Sequence, residues 1–354
     1  MKTHEILYQT LAQAKDYVNG EQLAQEMGLS RTSIWKAIQR LEKEDIEIES
    51  VKNRGYKILS GDLLIPQVIE EHCPLTVSYN PQCQSTQLDA KNAMEAGGHS
   101  STLYLAPYQM AGKGRFGRDY FCPSQGGIYM SLHLKPNLPF DQAPAYTLMV
   151  AAAIYKALKN LALLDVDIKW VNDIYYKGKK VGGILTEAIS SIETGLITDV
   201  IIGVGINFAI TDFPKELKDK AGSLFESQPP ISRNELIVEI WKEFFTTPEE
   251  ELIYLYKQRS LVLGKEVRFE QNQTSYQGLA KDISDNGQLL VQLEDGQERW
   301  LNSGEISLTK WWKRVYKKSR PGVGFFDPWC WALFSEMVCP VHFLKAREKY
   351  DTSE

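Results

Sequence analysis

The chain has 354 residues and sets 40 Lys and Arg against 45 Asp and Glu, a formal charge of -5. That length predicts two or three domains with an ample buried core, and the acidic balance excludes nucleic-acid binding as a property of the whole surface, so any such role must sit in a local patch. Five cysteines without Cys-x-x-Cys spacing predict reduced thiols and no disulfides; the early charge at Lys2 and the lack of a run of about 20 apolar residues predict a soluble cytoplasmic protein without signal peptide or membrane span.

Residues 4 to 18 repeat apolar side chains at helical spacing, with Ile6, Leu7, Leu11 and Ala14 on one side, and Asn19-Gly20 breaks that helix. A short second helix runs from Glu21 to Met27 and stops at Gly28, and Ser30 is a good N-cap for a third from about Arg31 to Asp45. Helix, short helix, tight turn and helix is a helix-turn-helix pattern. In the third helix Ile34, Ala37, Ile38 and Leu41 form the buried stripe. Arg31, Thr32, Ser33, Trp35, Lys36, Gln39 and Arg40 then project outward and, with Ser30, are residue types that contact grooves and phosphates. Ile46 to Ser50 and Tyr56 to Leu59 read as strands around Val51-Lys-Asn-Arg-Gly55, a basic wing carrying Lys52 and Arg54. Residues 1–60 hold six Lys and three Arg against seven Glu and two Asp, so positive charge is focused on one helix and one turn. DNA binding is the favoured reading, and a small helical interaction module is the alternative.

From about residue 63 the pattern mixes strands at Leu75 to Tyr79, Ser101 to Ala106, Ile128 to Leu134, Val166 to Trp170, Lys180 to Ile189 and Asp199 to Asn207 with helices at 86–96, 143–160 and 232–257. Strands that cluster late in the domain, without strict alternation with helices, predict a mixed α+β sheet rather than a doubly wound one. Within it, Gln109-Met-Ala-Gly-Lys-Gly-Arg-Phe-Gly-Arg118 interleaves three glycines with Lys113, Arg115 and Arg118. Glycine lets backbone N–H groups turn toward an oxyanion and the cations add charge-assisted bonds, so the loop is suited to phosphate or carboxylate. Gly112, Gly114 and Gly117 match G-x-G-x-x-G, but Asp-Tyr-Phe-Cys-Pro follows where a nucleotide-fold helix would start, and no Gly-Lys-Ser/Thr ending makes it a Walker loop. Gly182-Gly183 and Gly203-x-Gly205 permit close strand packing or the approach of a ligand to backbone. His99 and His133 have no metal-ligand or triad arrangement, and Cys83 and Cys122 have no local base, which argues against covalent catalysis through these side chains.

Between Gly264 and Thr309 short strands are punctuated by Asn286-Gly287 and Asp295-Gly296, strong hairpin signals that predict a small SH3-like barrel. The expected division is 1–62, 63–262 and 263–312. Residues 313–354, with Lys317-Lys-Ser-Arg320 and Trp329-Cys-Trp-Ala-Leu-Phe334, read as a poorly ordered extension whose apolar stretch is too short for a membrane.

Four ordered motifs, Gln84-Ser-Thr86, the glycine loop, Lys169-Trp-Val-Asn-Asp173 and Lys180-Val-Gly-Gly-Ile-Leu-Thr-Glu187, together resemble the bacterial bifunctional biotin-protein ligase and biotin-operon repressor family. The likeness runs from the helix-turn-helix to about Lys310. It implies a winged helix-turn-helix, a catalytic domain like those of biotin and lipoate ligases and class II synthetases, and a small C-terminal barrel. The resemblance assigns biotin contacts to Ser85, Thr86, Gln87, Gln109, Lys113, Gly114, Arg115 and Lys180. It assigns ATP or adenylate contacts to Lys113, Arg115, Arg118, Tyr120, Asn172, Gly183 and Asn207. Arg115, Lys180 and Asp173 would be catalytic, Asp173 also meeting Mg²⁺. Val171 stands where the family often has Pro, Gln87 where Asn often follows Ser-Thr, and Tyr120 where many members carry Trp. The implied reaction joins biotin to ATP as biotinyl-5'-adenylate and passes biotin to a lysine of a carrier domain of acetyl-CoA or pyruvate carboxylase. The implied regulation is a ligand-promoted homodimer on operator DNA. A lipoate-type ligase and a biotin-sensing repressor without ligase activity are the competing readings.

Overall fold

Leu7, Tyr8 and Leu11 are the apolar side chains that α1 (Thr3–Gln13) buries, while Ile6 is 41% exposed. The computed structural model describes residues 1–308 except 272, 303 and 305, so the extension expected over 313–354 and the end of the expected C-terminal domain lie outside the described residues. The first helix stops short of the expected residue 18, because Ala14 is already extended and Val18 forms a two-way backbone bridge with Tyr56 at 2.9 Å. Asn19, expected only to break α1, caps α2 (Gly20–Glu26) by accepting from the Glu21 N–H. Ser30 does the same for α3 (Arg31–Glu42), accepting from Ser33; this helix ends before Asp45, whose φ of 61° cannot continue it. β1 (Glu47–Val51) and β2 (Gly55–Ser60) pair as an antiparallel wing. Its turn requires Gly55, at φ 115°, because a Cβ there would stand 1.9 Å from the Val18 carbonyl oxygen. Leu23, Ile34, Ile38, Leu41 and Ile46 complete this small core, which also takes in Leu63 and Ile65 from the chain that follows.

Pro66 at the first helical position starts α4 (Pro66–His72), an element the sequence pattern did not reveal. An eight-stranded mixed sheet follows, assembled from β3 (Thr76–Tyr79), β4 (Thr102–Ala106), β5 (Gly127–Leu134), β6 (Leu138–Pro139), β7 (Asp167–Lys169), β8 (Asp173–Tyr176), β9 (Lys179–Ser190) and β10 (Leu196–Asn207). Its order is β3-β4-β5-β10-β9-β8-β7, with β6 on β10, and only β3 and β4 run parallel. Two strands were not expected, the short β6 and β8, the latter folded back on β9 through Lys177 and Gly178 at φ 49° and 79°, a tight turn whose Lys-Gly pair is a weak sequence signal.

Strand alternation separates the two faces. Tyr104 and Ile201 pack with Ala90 of α5 (Thr86–Glu95), whereas Met130, Leu132, Ile202 and Val204 join the main core with α6 (Tyr146–Ala162) and α7 (Arg233–Thr246). Ala151, Ala152 and Ala153 are fully buried in α6, letting it lie close to its neighbours. The single helix expected over 232–257 is two, because Pro248 separates α7 from α8 (Glu249–Gln258). The C-terminal segment is an antiparallel sheet of β11 (Glu266–Gln271), β12 (Thr274–Ile283), β13 (Leu289–Leu293), β14 (Glu298–Leu301) and β15 (Ile306–Leu308), ordered β14-β13-β12-β11-β15. Gly287 at φ 89° turns the β12–β13 hairpin and sets that hairpin's tip against Leu148, while its carbonyl accepts from Trp170 Nε1 at 2.9 Å. The α+β class therefore holds, with a helix-turn-helix in front and an all-β module behind.

Candidate active site

Ser85 occupies the N-cap position of α5, yet its hydroxyl makes no capping bond. Capping therefore does not account for this Ser-Thr pair. Ser85 and Thr86 are 9% and 4% exposed and stand on the wall of a cavity of about 310 Å³ between α5, the glycine loop and the open face of the central sheet. The Thr86 N–H donates to Gln109 Oε1 at 2.7 Å, and Gln109 Nε2 reaches Cys122 Sγ at 3.2 Å. Burial pushes the Cys122 thiol up to about 11, so this sulfur is a neutral partner for Gln109 and not a nucleophile. The same holds for Cys83, whose thiol is pushed up to about 12 by burial and by its bond to Asp89.

The glycine loop turns back on itself. Gly114 N–H donates to the Arg118 carbonyl at 2.8 Å and Tyr120 N–H to that of Gly112 at 2.9 Å, with Phe116 and Gly117 in the left-handed region at φ 58° and 72°. This folding brings Lys113, Gly114, Arg115, Arg118 and Tyr120 to the cavity together. Lys113 pairs with Asp119 at 2.5 Å and holds that carboxyl below its ordinary range. Arg115 reaches across to Asn172 Oδ1 at 3.2 Å and to the Gly304 carbonyl at 3.5 Å, so one guanidinium connects the loop, the 169–173 motif and the C-terminal module. Asn172 is itself held by donating to the Ile184 carbonyl at 2.9 Å. Lys180 Nζ lies 2.6 Å from Asp173 Oδ1, both on the cavity wall. Tyr120 packs where Gly205 leaves room and donates its hydroxyl to the Gly205 carbonyl at 3.0 Å; burial drives its phenol up, which keeps it neutral. Gly183 stands 3.5 Å from Lys180 Nζ, measured from where a Cβ would be, and lines the same cavity. Among described residues no cluster of three metal-ligating side chains occurs.

With one exception, every residue that the resemblance assigned to the ligand lines this cavity. Asn207 does not: it is 6% exposed and its amide donates to the Gly222 carbonyl at 2.9 Å, which gives it a role in joining β10 to the 207–224 loop. Trp170 belongs to the main core at 3% exposed and touches the cavity as well. Gly203, read as permitting the approach of a ligand, and Lys169 and Leu185, inside two of the quoted motifs, line it too, as do Ser131 and Ser307, which were not singled out from sequence. A serine in the apolar strand run Ile-Tyr-Met-Ser-Leu-His is the signal that could have found Ser131.

Three segments of the chain match family models in order: an HTH domain over residues 3–57, the biotin/lipoate A/B protein ligase family over 80–207, and a biotin protein ligase C-terminal domain over 262–309. The bifunctional ligase/repressor BirA of Bacillus spizizenii is 33% identical over 313 residues, covering 83% of this chain and 94% of the relative. This chain belongs to that ligase/repressor family. Its Escherichia coli member is 27% identical, with 83% and 93% of the two chains covered. A solved biotin protein ligase from Aquifex aeolicus, in complex with biotin and ATP, superposes with a TM-score of 0.55 and 27% identity over 66% of this chain and 97% of that one.

The family's HTH segment carries the second candidate surface. Arg31, Thr32, Trp35, Lys36, Gln39 and Arg40 on α3, and Lys52 and Arg54 on the wing, are exposed, with Ser30 at the cap and Ser33 half-buried. Several of these cations already have surface partners: Arg31 pairs with Glu21 and Arg40 with Glu44, both at 2.6 Å, and Arg54 pairs with Asp16 at 3.1 Å over the Tyr17 ring. Exposed pairs of this kind are worth little and exchange readily for phosphate. No helix among the described residues is long and apolar enough to cross a membrane.

Proposed function

We propose that this protein is an ATP-dependent biotin-protein ligase that also acts as a biotin-responsive repressor. The observation that carries the reading is a single cavity whose wall combines neutral hydrogen-bonding groups, Ser85, Thr86 and Gln109, with the cations Lys113, Arg115, Arg118 and Lys180. A cyclic urea needs the first set, and a carboxylate beside phosphates needs the second. In the first half-reaction a biotin carboxylate oxygen attacks the α-phosphorus of ATP and pyrophosphate leaves, forming biotinyl-5'-adenylate. In the second, a lysine amine of a biotin carrier domain attacks the acyl carbon, loses a proton, and AMP departs. The enzyme orients the reactants and stabilises oxyanion charge through Arg115, Lys180 and the loop N–H groups, and Tyr120 offers an aromatic face to adenine. Mg²⁺ would come with the nucleotide phosphates, where Asp173 is the carboxylate able to share it, and would neutralise phosphate charge.

The domain limits we assign are 1–62 for DNA, 63–262 for ligation and 263–312 for the C-terminal module, in a cytoplasmic protein. Adenylate bound in the cavity would order the 107–124 loop and favour a homodimer on two operator half-sites. ATP-pyrophosphate exchange with biotin, lipoate and octanoate tests the reading. Exchange is expected with biotin and should fall at least about 100-fold in Lys180→Ala, as for other removed charge-stabilising donors. Exchange with lipoate alone, or with no acid, would overturn it in favour of a lipoate-type ligase or a sensor without catalysis.

A further inference from the structure

We propose that Glu187, at the end of the Lys-Val-Gly-Gly motif, is a positioning residue that fixes the polarity of the hydrogen bonds facing the ligand. The inference rests on the reading that the cavity takes a cyclic urea, and it explains how a wall of hydroxyls and amides, each able to donate or accept, is given one direction.

The chain of bonds starts outside the cavity. Gln87 Nε2 lies 2.7 Å from Glu187 Oε2 and 3.4 Å from the Ile201 carbonyl oxygen. A carboxylate and a carbonyl can only accept, so this end of the amide must be the NH₂ and its oxygen must point the other way. That oxygen sits over Gly203, where a Cβ would approach it to 2.6 Å, and it lies 3.0 Å from Ser131 Oγ. Ser131 is fully buried and has one proton, which therefore goes to Gln87. Thr86 Oγ1, 2.8 Å from Ser131 Oγ, must then be the donor in that pair. Its own proton is thereby committed, and its 3.2 Å contact with Gln109 Oε1 is the weaker choice. The Thr86 oxygen turns only lone pairs to the cavity and can only accept.

Gln109 is fixed by the same logic. Its oxygen receives the Thr86 N–H at 2.7 Å, so its nitrogen stands on the other side, next to Cys122, with a second N–H left to donate. The wall thus offers one acceptor and one donor in a set order, matching a ring N–H and the urea oxygen. Lys91 Nζ, 2.9 Å from Glu187 Oε1, balances the carboxylate charge but does not set the direction.

The test uses full-length protein and two analogues of biotin, the cyclic carbamates in which one or the other ring N–H is replaced by oxygen. Wild-type protein should bind the carbamate lacking the Thr86-facing N–H about 100-fold more weakly than biotin, since two acceptors then face each other in a buried site. In Ser131→Ala and Glu187→Leu the Thr86 hydroxyl is free to rotate and donate, and the ratio should fall below about 10-fold. Lys91→Met, which leaves the carboxylate in place, should keep the wild-type ratio. A general loss of structure would weaken both ligands alike and leave the ratio unchanged. An unchanged ratio in Ser131→Ala or Glu187→Leu protein that melts at the wild-type temperature overturns the proposal, as does an equal collapse in Lys91→Met. Failure of wild-type protein to bind biotin at all would instead refute the functional reading beneath it.

Discussion

Replacing Arg233 by Met is expected to cost about 3 kcal/mol of stability, because it strands a half-hidden carboxylate between the first core and the second. Arg233 begins α7, and its Nε lies 3.2 Å from Asp62 Oδ2. One terminal nitrogen donates to the Gly127 carbonyl at 3.1 Å and the other to the Asp62 carbonyl. Asp62 Oδ1 has no partner of its own among the described residues. Breaking one side of a buried ion pair costs about 3–5 kcal/mol. The low end applies here, because the Asp62 side chain keeps 21% of its surface in water and would retain the Arg233 backbone N–H at 2.5 Å. Burial already holds the Asp62 carboxyl above its ordinary range, and Arg233 pulls it partway back. Without the guanidinium the folded-state value rises further above the unfolded one. A group raised in this way favours the fold while protonated and loses that contribution as pH rises through the folded value. The deficit of Arg233→Met should therefore be full near about pH 8 and shrink toward about pH 5. Asp62→Asn added to Arg233→Met should recover most of it at the higher pH. Urea unfolding followed by tryptophan fluorescence measures the wild type and both variants. A deficit under about 1 kcal/mol, or one that does not change with pH, would refute the reasoning.

Three further outcomes follow from local geometry. Gly205→Ala sets a Cβ 2.6 Å from the Tyr120 ring and should displace it, weakening nucleotide binding through an overpacking cost of about 1–3 kcal/mol, whereas Gly183→Ala makes only approaches of 3.5 Å or more and should stay folded with Tyr120 in place; titration with ATP separates the two, and equal losses would contradict the distances. Lys36→Ala should weaken binding across all DNA sequences and reduce the slope of log affinity against log salt by about 0.9, because one phosphate is no longer neutralised; an unchanged slope in a gel-shift series would remove Lys36 from the interface. Alkylation at about pH 8 should label Cys83 and Cys122 slowly, since both thiols are pushed well above that pH; rapid labelling of either in folded protein, seen by peptide mass mapping, would show that the burial argument fails there.

The N-terminal helices show where pattern reading succeeds and where it stops. The stripe Ile34, Ala37, Ile38 and Leu41 on α3 is buried as its spacing requires. On α1 the same method selected Ile6, which is exposed, and passed over Tyr8, which is buried. Spacing identifies an apolar side within about one residue's rotation, and the neighbouring helices decide which flank turns inward. Ser30 as a cap and the hairpin at Asn286-Gly287 were also legible, because each depends on bonds or φ angles within a few residues. Pro66 and Pro248 redrew boundaries that hydrophobic spacing alone left blurred.

The chemistry of the candidate site divides in the same way. The sequence alone determined the glycine loop and its cations as an anion-binding run by residue type, while Ser85-Thr86 and the residues around Asn172 and Lys180 entered through the resemblance to the ligase family. Only the tertiary structure decided which of them meet and which way their hydrogen bonds run. Ser131 reaches Thr86 across 45 residues, Glu187 reaches Gln87 across 100, and Arg115 reaches the Gly304 carbonyl across 189. Asn207, equally plausible in one dimension, is turned away to Gly222. The reason is register: pairing along β5, β10 and β9 sets which side chains face the cavity, and a slip of one residue would turn every one of them to the other side.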